Sequence, residues 1–166
     1  EFLPRHTAGL QSALEIGPGY GQFLKALSSV FDKVTALDNS EEMLEQSIAR
    51  ASTQGLQNIA FVVGDTQQAL KQGTKYDLVS LNMVLHHNPT PAEIISDCAQ
   101  LLAKSGVLII TDLCAHDQEW ARESCGDIWL GFEPEALTRW AEAAGFKEGS
   151  SLYLTQRNGF MLSSVI

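Results

Sequence analysis

The chain has 166 residues, with 20 Asp and Glu against 11 Lys and Arg and a formal net charge of −9. That length supports one domain over residues 1–166 with its own core, and the acidic balance argues against a nucleic-acid partner, which needs clustered Lys and Arg. Three cysteines without paired spacing, no leader-like segment and no apolar run near the ~20 residues of a membrane span predict a reduced, cytoplasmic protein with no membrane partner.

The first predicted strand, Ala13–Ile16, carries Glu15 and runs into Gly17-Pro18-Gly19-Tyr20-Gly21, then into the helical run Phe23-Leu24-Lys25-Ala26-Leu27. A strand, a glycine-rich bend and a helix start bring backbone N–H groups close to a nucleotide-like ligand. Such turns also hold glycines for steric reasons alone, so the motif gains meaning only together with the acids further along the chain. The second strand, Lys33–Leu37, ends at Asp38, placed either to accept from ribose hydroxyls or to cap a helix. That helix opens at Asn39-Ser40-Glu41-Glu42 with Asn39 as cap, carries Met43, Leu44, Ile48 and Ala51 as its apolar stripe, and ends at Gly55.

The third strand, Ile59–Val63, leads to Gly64-Asp65-Thr66, where a second acid can accept from an adenine amine, and the fourth, Tyr76–Asn82, ends in an amide. These positions all lie at carboxyl ends of strands, the rim where open α/β sheets bind ligands. His86 and His87 come next, then Thr90-Pro91-Ala92-Glu93, read as a capping box with proline first in the helix, and a buried face of Ile94, Ile95, Cys98, Leu101 and Leu102. The fifth strand is Val107–Thr111. The long connection 112–132 predicts a helix of its own over Asp117–Ser124. Glu133-Pro134 opens a last helix with Leu137, Trp140 and Ala144 at helical spacing, and Ser151–Gln156 and Phe160–Ile166, joined by Arg157-Asn158-Gly159, form a closing hairpin. The alternation predicts an α/β fold with a mostly parallel seven-stranded sheet and a C-terminal antiparallel hairpin.

With these residues assembled, the chain resembles the class I S-adenosylmethionine-dependent methyltransferases of the small-molecule type, from Ser12 to Ile166. The resemblance rests on LEIGPGYG, Asp38, Gly64-Asp65, the segment YDLVSLNMVLHH, the strand after Gly106 and the closing hairpin; the family's usual Lys-Pro-Gly-Gly before the fifth strand is here Lys104-Ser105-Gly106. A nicotinamide or flavin Rossmann domain also has a glycine turn and an acid, but its third glycine stands where this chain has Gln22. The resemblance implies a Rossmann-like three-layer sandwich with S-adenosyl-L-methionine as methyl donor and S-adenosyl-L-homocysteine as product. It assigns the cofactor to Glu15, Gly17, Pro18, Gly19, Tyr20, Gly21, Asp38, Asn39, Met43, Gly64, Asp65, Thr66 and Asn82. A small-molecule acceptor is implied; a sensor or scaffold domain that binds the cofactor without turnover is the alternative. Family members carry helices ahead of the glycine motif, so either such a cap is missing before residue 1 or the site is open, and a homodimer is an assembly the resemblance allows.

Methyl transfer from a sulfonium needs positioning above all, and a base where the acceptor is a hydroxyl or acidic carbon. His87 is the first candidate base and His116 the second. Neighbours on a turn point apart, so His86 and His87 are not both expected to face the site; His86 is carried as an acceptor-side candidate, with Trp120, Arg122, Trp129 and Phe132 as further polar and aromatic walls. The plainer reading has the histidines solvated or capping and the aromatics covering the sheet. The stretch 112–132 also looks like methyltransferase-like domains of some bacterial regulators. Arsenite methyltransferases hold their substrate with thiols, but Cys98 falls on an apolar helix face and Cys114 and Cys125 have no paired spacing, so no metal is expected.

Overall fold

The structure, a computed structural model, describes residues 11–147, 149–156 and 159–165. Its centre is a Rossmann-like sheet of five parallel strands, β1 (Ser12–Ile16), β2 (Lys33–Asp38), β3 (Ile59–Val63), β4 (Tyr76–Asn82) and β5 (Leu102–Leu113), in the order β3-β2-β1-β4-β5. Backbone pairing continues antiparallel from β5 to Gly159–Val165 (β7) and on to Ser150–Gln156 (β6). Arg157 and Asn158 of the expected turn lie outside the described residues, as does Ile166.

Alternate residues of the same strands feed two cores, as the period of two requires. On one face Ala13, Leu78 and Ile109 pack with Leu24, Leu27, Phe31 and Val34; on the other, Leu14, Val79 and Leu108 pack with Ile95, Cys98, Leu101 and Leu137. Helices α1 (Leu24–Ser28), α2 (Glu41–Thr53), α3 (Thr66–Gln72), α4 (Pro91–Leu101), α5 (Trp120–Cys125) and α6 (Pro134–Ala143) connect the strands, with one 3-10 turn at Leu85–His87. Strand order reverses between β1 and β4, which leaves a crevice at their carboxyl ends.

Local departures from the predicted elements have local causes. Ser40, not Asn39, caps α2: its hydroxyl accepts from Met43 N at 3.3 Å, while the Asp38 carboxylate accepts from Ser40 N at 2.9 Å and sets the turn one residue later. Thr90 makes no capping box, because its hydroxyl donates to Asn88 Oδ1; the reciprocal box lies instead at Asp65 and Gln68, opening α3, a helix absent from the predicted elements. Of the apolar stripe expected on α2, Ile48 is exposed, while Ser47 turns inward and donates to the Gly19 carbonyl at 2.7 Å. Strand β5 starts at Leu102 instead of Val107, with a register shift against β4 between Tyr76 and Leu78 and a left-handed Ser105. The helix in 112–132 shortens to Trp120–Cys125, ended by left-handed Gly126.

Candidate functional site

The carboxyl ends of β1, β2 and β4 and the turn after β3 surround a cleft of about 490 Å³. Its glycine side is built by Gly17, whose amide donates to the Leu37 carbonyl at 2.8 Å. Gly17 has φ +64°, and a Cβ there would come within 2.7 Å of Val84 Cγ2, so two separate reasons require glycine. The turn closes with Gly21 N donating to the Pro18 carbonyl at 2.8 Å. The cleft therefore meets backbone at Gly17 and Gly19 where any larger residue would present a side chain.

Two carboxylates stand on the neighbouring wall. Asp38 ends β2, with Oδ1 engaged by Ser40 N. Asp65 caps α3 through Oδ1, which accepts from Gln68 N at 2.8 Å. In each case the second oxygen takes no protein donor among the described residues, so it is available to a ligand's hydroxyl or amine. Asn39, Met43, Gly64 and Thr66 also line the cleft, and Thr66 is held by Asp97 of α4, whose carboxylate accepts from the Thr66 hydroxyl and from Gln67 Nε2.

Glu15, Pro18, Tyr20, Gly21 and Asn82, expected on the cofactor, do not form the cleft wall. Tyr20 is exposed, and Gly21 packs against Leu24 and Ser47. Glu15 lies buried in the sheet, where its carboxyl accepts from Ser80 Oγ and Asn82 Nδ2, both at 3.0 Å. Burial raises its pKa to about 7 against the partial relief of those two hydrogen bonds. Glu15 and Asn82 thus tie β1 to β4 beneath the glycine turn.

His87, Asn88, Met83, Val84 and Ile94 complete the wall, with Val84 directly against Gly17. Met83 is held in the left-handed region at φ +57°, an unusual conformation for a side-chain-bearing residue that turns the chain sharply off β4. Met83, Val84, Asn88 and Ile94 are not foreseen from the sequence; the apolar run after Asn82 is their only signal. His87 stands where it is expected. His86 does not: it is buried, with Nδ1 2.7 Å from Asp112 Oδ1, so it meets β5 instead of the cleft. His116 is also displaced, its Nδ1 accepting from Gln118 N in a local turn.

The expected acceptor residues disperse as well. Trp120 is exposed and donates to Gln118, and Arg122 is spent on Glu119 and the Ile128 carbonyl. Phe132 is core, packed with Trp140, and Trp129 joins that pair while donating from Nε1 to the Asn88 carbonyl at 2.9 Å. Trp129 therefore braces the cleft from outside. Cys98 is fully buried, and burial pushes its thiol up; Cys114 is raised too, by burial and then by Glu133.

A methyltransferase-domain family model matches residues 2–148. A ubiquinone biosynthesis O-methyltransferase of Coxiella burnetii is 26% identical over 147 residues, covering 81% of this chain and 62% of the relative, so this chain spans less than two thirds of that relative's length. Among solved structures, the N-terminal domain of EvdMO1 with S-adenosylhomocysteine bound superposes with a TM-score of 0.75 at 20% identity, covering 98% of this chain and 76% of that one. An arsenic(III) S-adenosylmethionine methyltransferase from Chlamydomonas reinhardtii gives a TM-score of 0.70 at 18% identity, covering 95% of this chain and 63% of that one. At such identities the structural likenesses establish the fold, while the match over residues 2–148 establishes descent: the chain belongs to the methyltransferase domain family and has its class I fold.

Proposed function

We propose that this chain binds S-adenosyl-L-methionine in the cleft and transfers its methyl group to a small-molecule acceptor, releasing S-adenosyl-L-homocysteine. The observation that carries the reading is the convergence on one cleft of two glycine backbones, Asp38, Asp65 and His87. The cofactor supplies an electrophilic methyl on a sulfonium, so the chain's work is to hold and orient. Asp38 takes the ribose hydroxyls, Asp65 the adenine amine, and the Gly17–Gly19 backbone the methionine end; Met43 and Leu37 supply apolar contact. His87, which lines the same cleft, serves the acceptor and its proton. Relatives named as O-methyltransferases favour a hydroxyl oxygen as acceptor atom. The antiparallel β6–β7 pair beside β5, giving seven strands, fits the same family architecture. Three free cysteines accord with a reducing, cytoplasmic setting, and among the described residues no helix is long and apolar enough to cross a membrane.

Calorimetry with S-adenosylhomocysteine tests this directly. Micromolar binding weakened at least ~10-fold by Asp38→Ala is expected, the loss of a charge-assisted hydrogen bond being worth about 1.5–3 kcal/mol. No binding, or undiminished binding in a folded variant, refutes it. Binding without turnover on any hydroxylated acceptor favours the sensor reading instead.

A further inference from the structure

We propose that His86, His87 and Asp127 form a three-ligand site for a divalent transition-metal ion of the zinc and cobalt type, beside the cleft. The three converge because α5 ends at left-handed Gly126 and the next residues are tied back to the 3-10 turn: the His86 carbonyl accepts from both Ile128 N, at 2.9 Å, and Trp129 N, at 3.0 Å. Asp127 Oδ1 then lies 3.8 Å from His86 Nε2 and 3.7 Å from His87 Nδ1, and all three donor atoms fall within 4.8 Å of one another.

Asp127 Oδ1 is buried and has no hydrogen-bond partner among the described residues, a costly state for a carboxylate oxygen. Its neighbour cannot relieve it. Asp112 accepts from Leu85 N through Oδ2 and from Leu113 N through Oδ1, so it is the acceptor toward His86 as well and Nδ1 carries the proton. His86 Nε2 and Asp127 Oδ1 then face each other at 3.8 Å, beyond hydrogen-bond distance, so neither satisfies the other unless a third group bridges them. The carboxylate–histidine order of Asp112 and His86 is also the one that orients metal-bound imidazoles.

Distance separates a metal from a proton. A proton shared between Nε2 and Oδ1 would draw them to about 2.8 Å. A bridging water with two ordinary hydrogen bonds at a tetrahedral angle sets them about 4.6 Å apart. Two ligands at about 2.1 Å from one tetrahedral ion are about 3.4 Å apart, a few tenths short of the 3.7 and 3.8 Å observed. The weak contact of His87 Nδ1 with the Gly126 carbonyl, at 3.4 Å, is what an ion would displace. His87 is the exposed ligand and lines the cleft, so a fourth ligand position is reached from there. An acceptor hydroxyl held on it would be acidified and lose its proton to water in the open cleft, leaving His87 as ligand instead of base; that role rests on the methyl-transfer reading, whereas the site does not.

The test is titration of chelator-stripped protein with Co²⁺ alone, read by the visible absorption of a low-coordinate ion and by calorimetry. One equivalent is expected, with affinity falling at least ~10-fold in both Asp127→Asn and His87→Gln. The His87 change keeps the test open should the buried Asp127 variant fail to fold. Absence of saturable Co²⁺ uptake, or unchanged affinity in either folded variant, overturns the proposal. S-adenosylhomocysteine binding, measured on the same preparations, reports separately on the cofactor reading.

Discussion

Replacing Glu15 by Gln isolates the electrostatic cost of a carboxyl placed where water cannot reach it. Gln is isosteric, keeps an oxygen for Asn82 Nδ2 and presents an amide to the Ser80 hydroxyl, so the geometry between β1 and β4 persists. With a pKa raised from 4.5 to about 7, Glu15 stays protonated in the folded chain while it ionises in the unfolded one. The folded state therefore holds more protons between those values, and stability falls as pH rises through that window, flattening above 7. At 1.36 kcal/mol per pKa unit the loss is about 3 kcal/mol. Equilibrium denaturation of cofactor-free protein between pH 4.5 and 7.5 measures it. The difference in unfolding free energy between variant and wild type should grow by about 3 kcal/mol across the window in favour of Glu15→Gln. Parallel curves would show that Glu15 is solvated or paired with a cation, and the account of the buried carboxyl would be wrong.

Other substitutions probe single contacts. Gly17→Ala must take both a left-handed φ and the Val84 clash, so it should cost at least about 1–2 kcal/mol by thermal denaturation and weaken S-adenosylhomocysteine binding. Asp97→Asn leaves a neutral group against the Thr66 hydroxyl and Gln67 amide at the cleft wall; a several-fold rise in the cofactor Kd is expected with far-UV dichroism unchanged. At Gly131, with φ +71°, an added Cβ would collide with the Cys114 carbonyl, so Gly131→Ala should destabilise the bridge between Cys114 and Phe132, seen as faster amide exchange at Ala115 and Phe132. Leu14→Ala empties a fully buried position and should cost about 2–5 kcal/mol in urea denaturation.

The glycine-and-acid side of the cleft is legible in the sequence because it depends on local chain order. A glycine bend after one strand and an acid at the end of the next must reach the same rim once the strands lie parallel and adjacent, and Gly17, Gly19, Asp38, Gly64 and Asp65 do. Glu15 lies off the cleft wall, buried against Ser80 and Asn82 of β4, although it adjoins the turn in sequence.

Backbone conformation and hydrophobic period act over a few residues, so the amino-acid order alone sets the succession of strands and helices, the glycine turn and the two acids at the cleft rim. Which side chains meet across long separations is a matter of tertiary packing. Whether His86 faces a ligand or a buried carboxylate depends on Asp112 and Asp127, 26 and 41 positions away. The same holds for Trp129 bracing Asn88 and for Asp97 holding Thr66. Such contacts are set by how loops and neighbouring helices pack beside the sheet, and no periodicity in the chain encodes that packing.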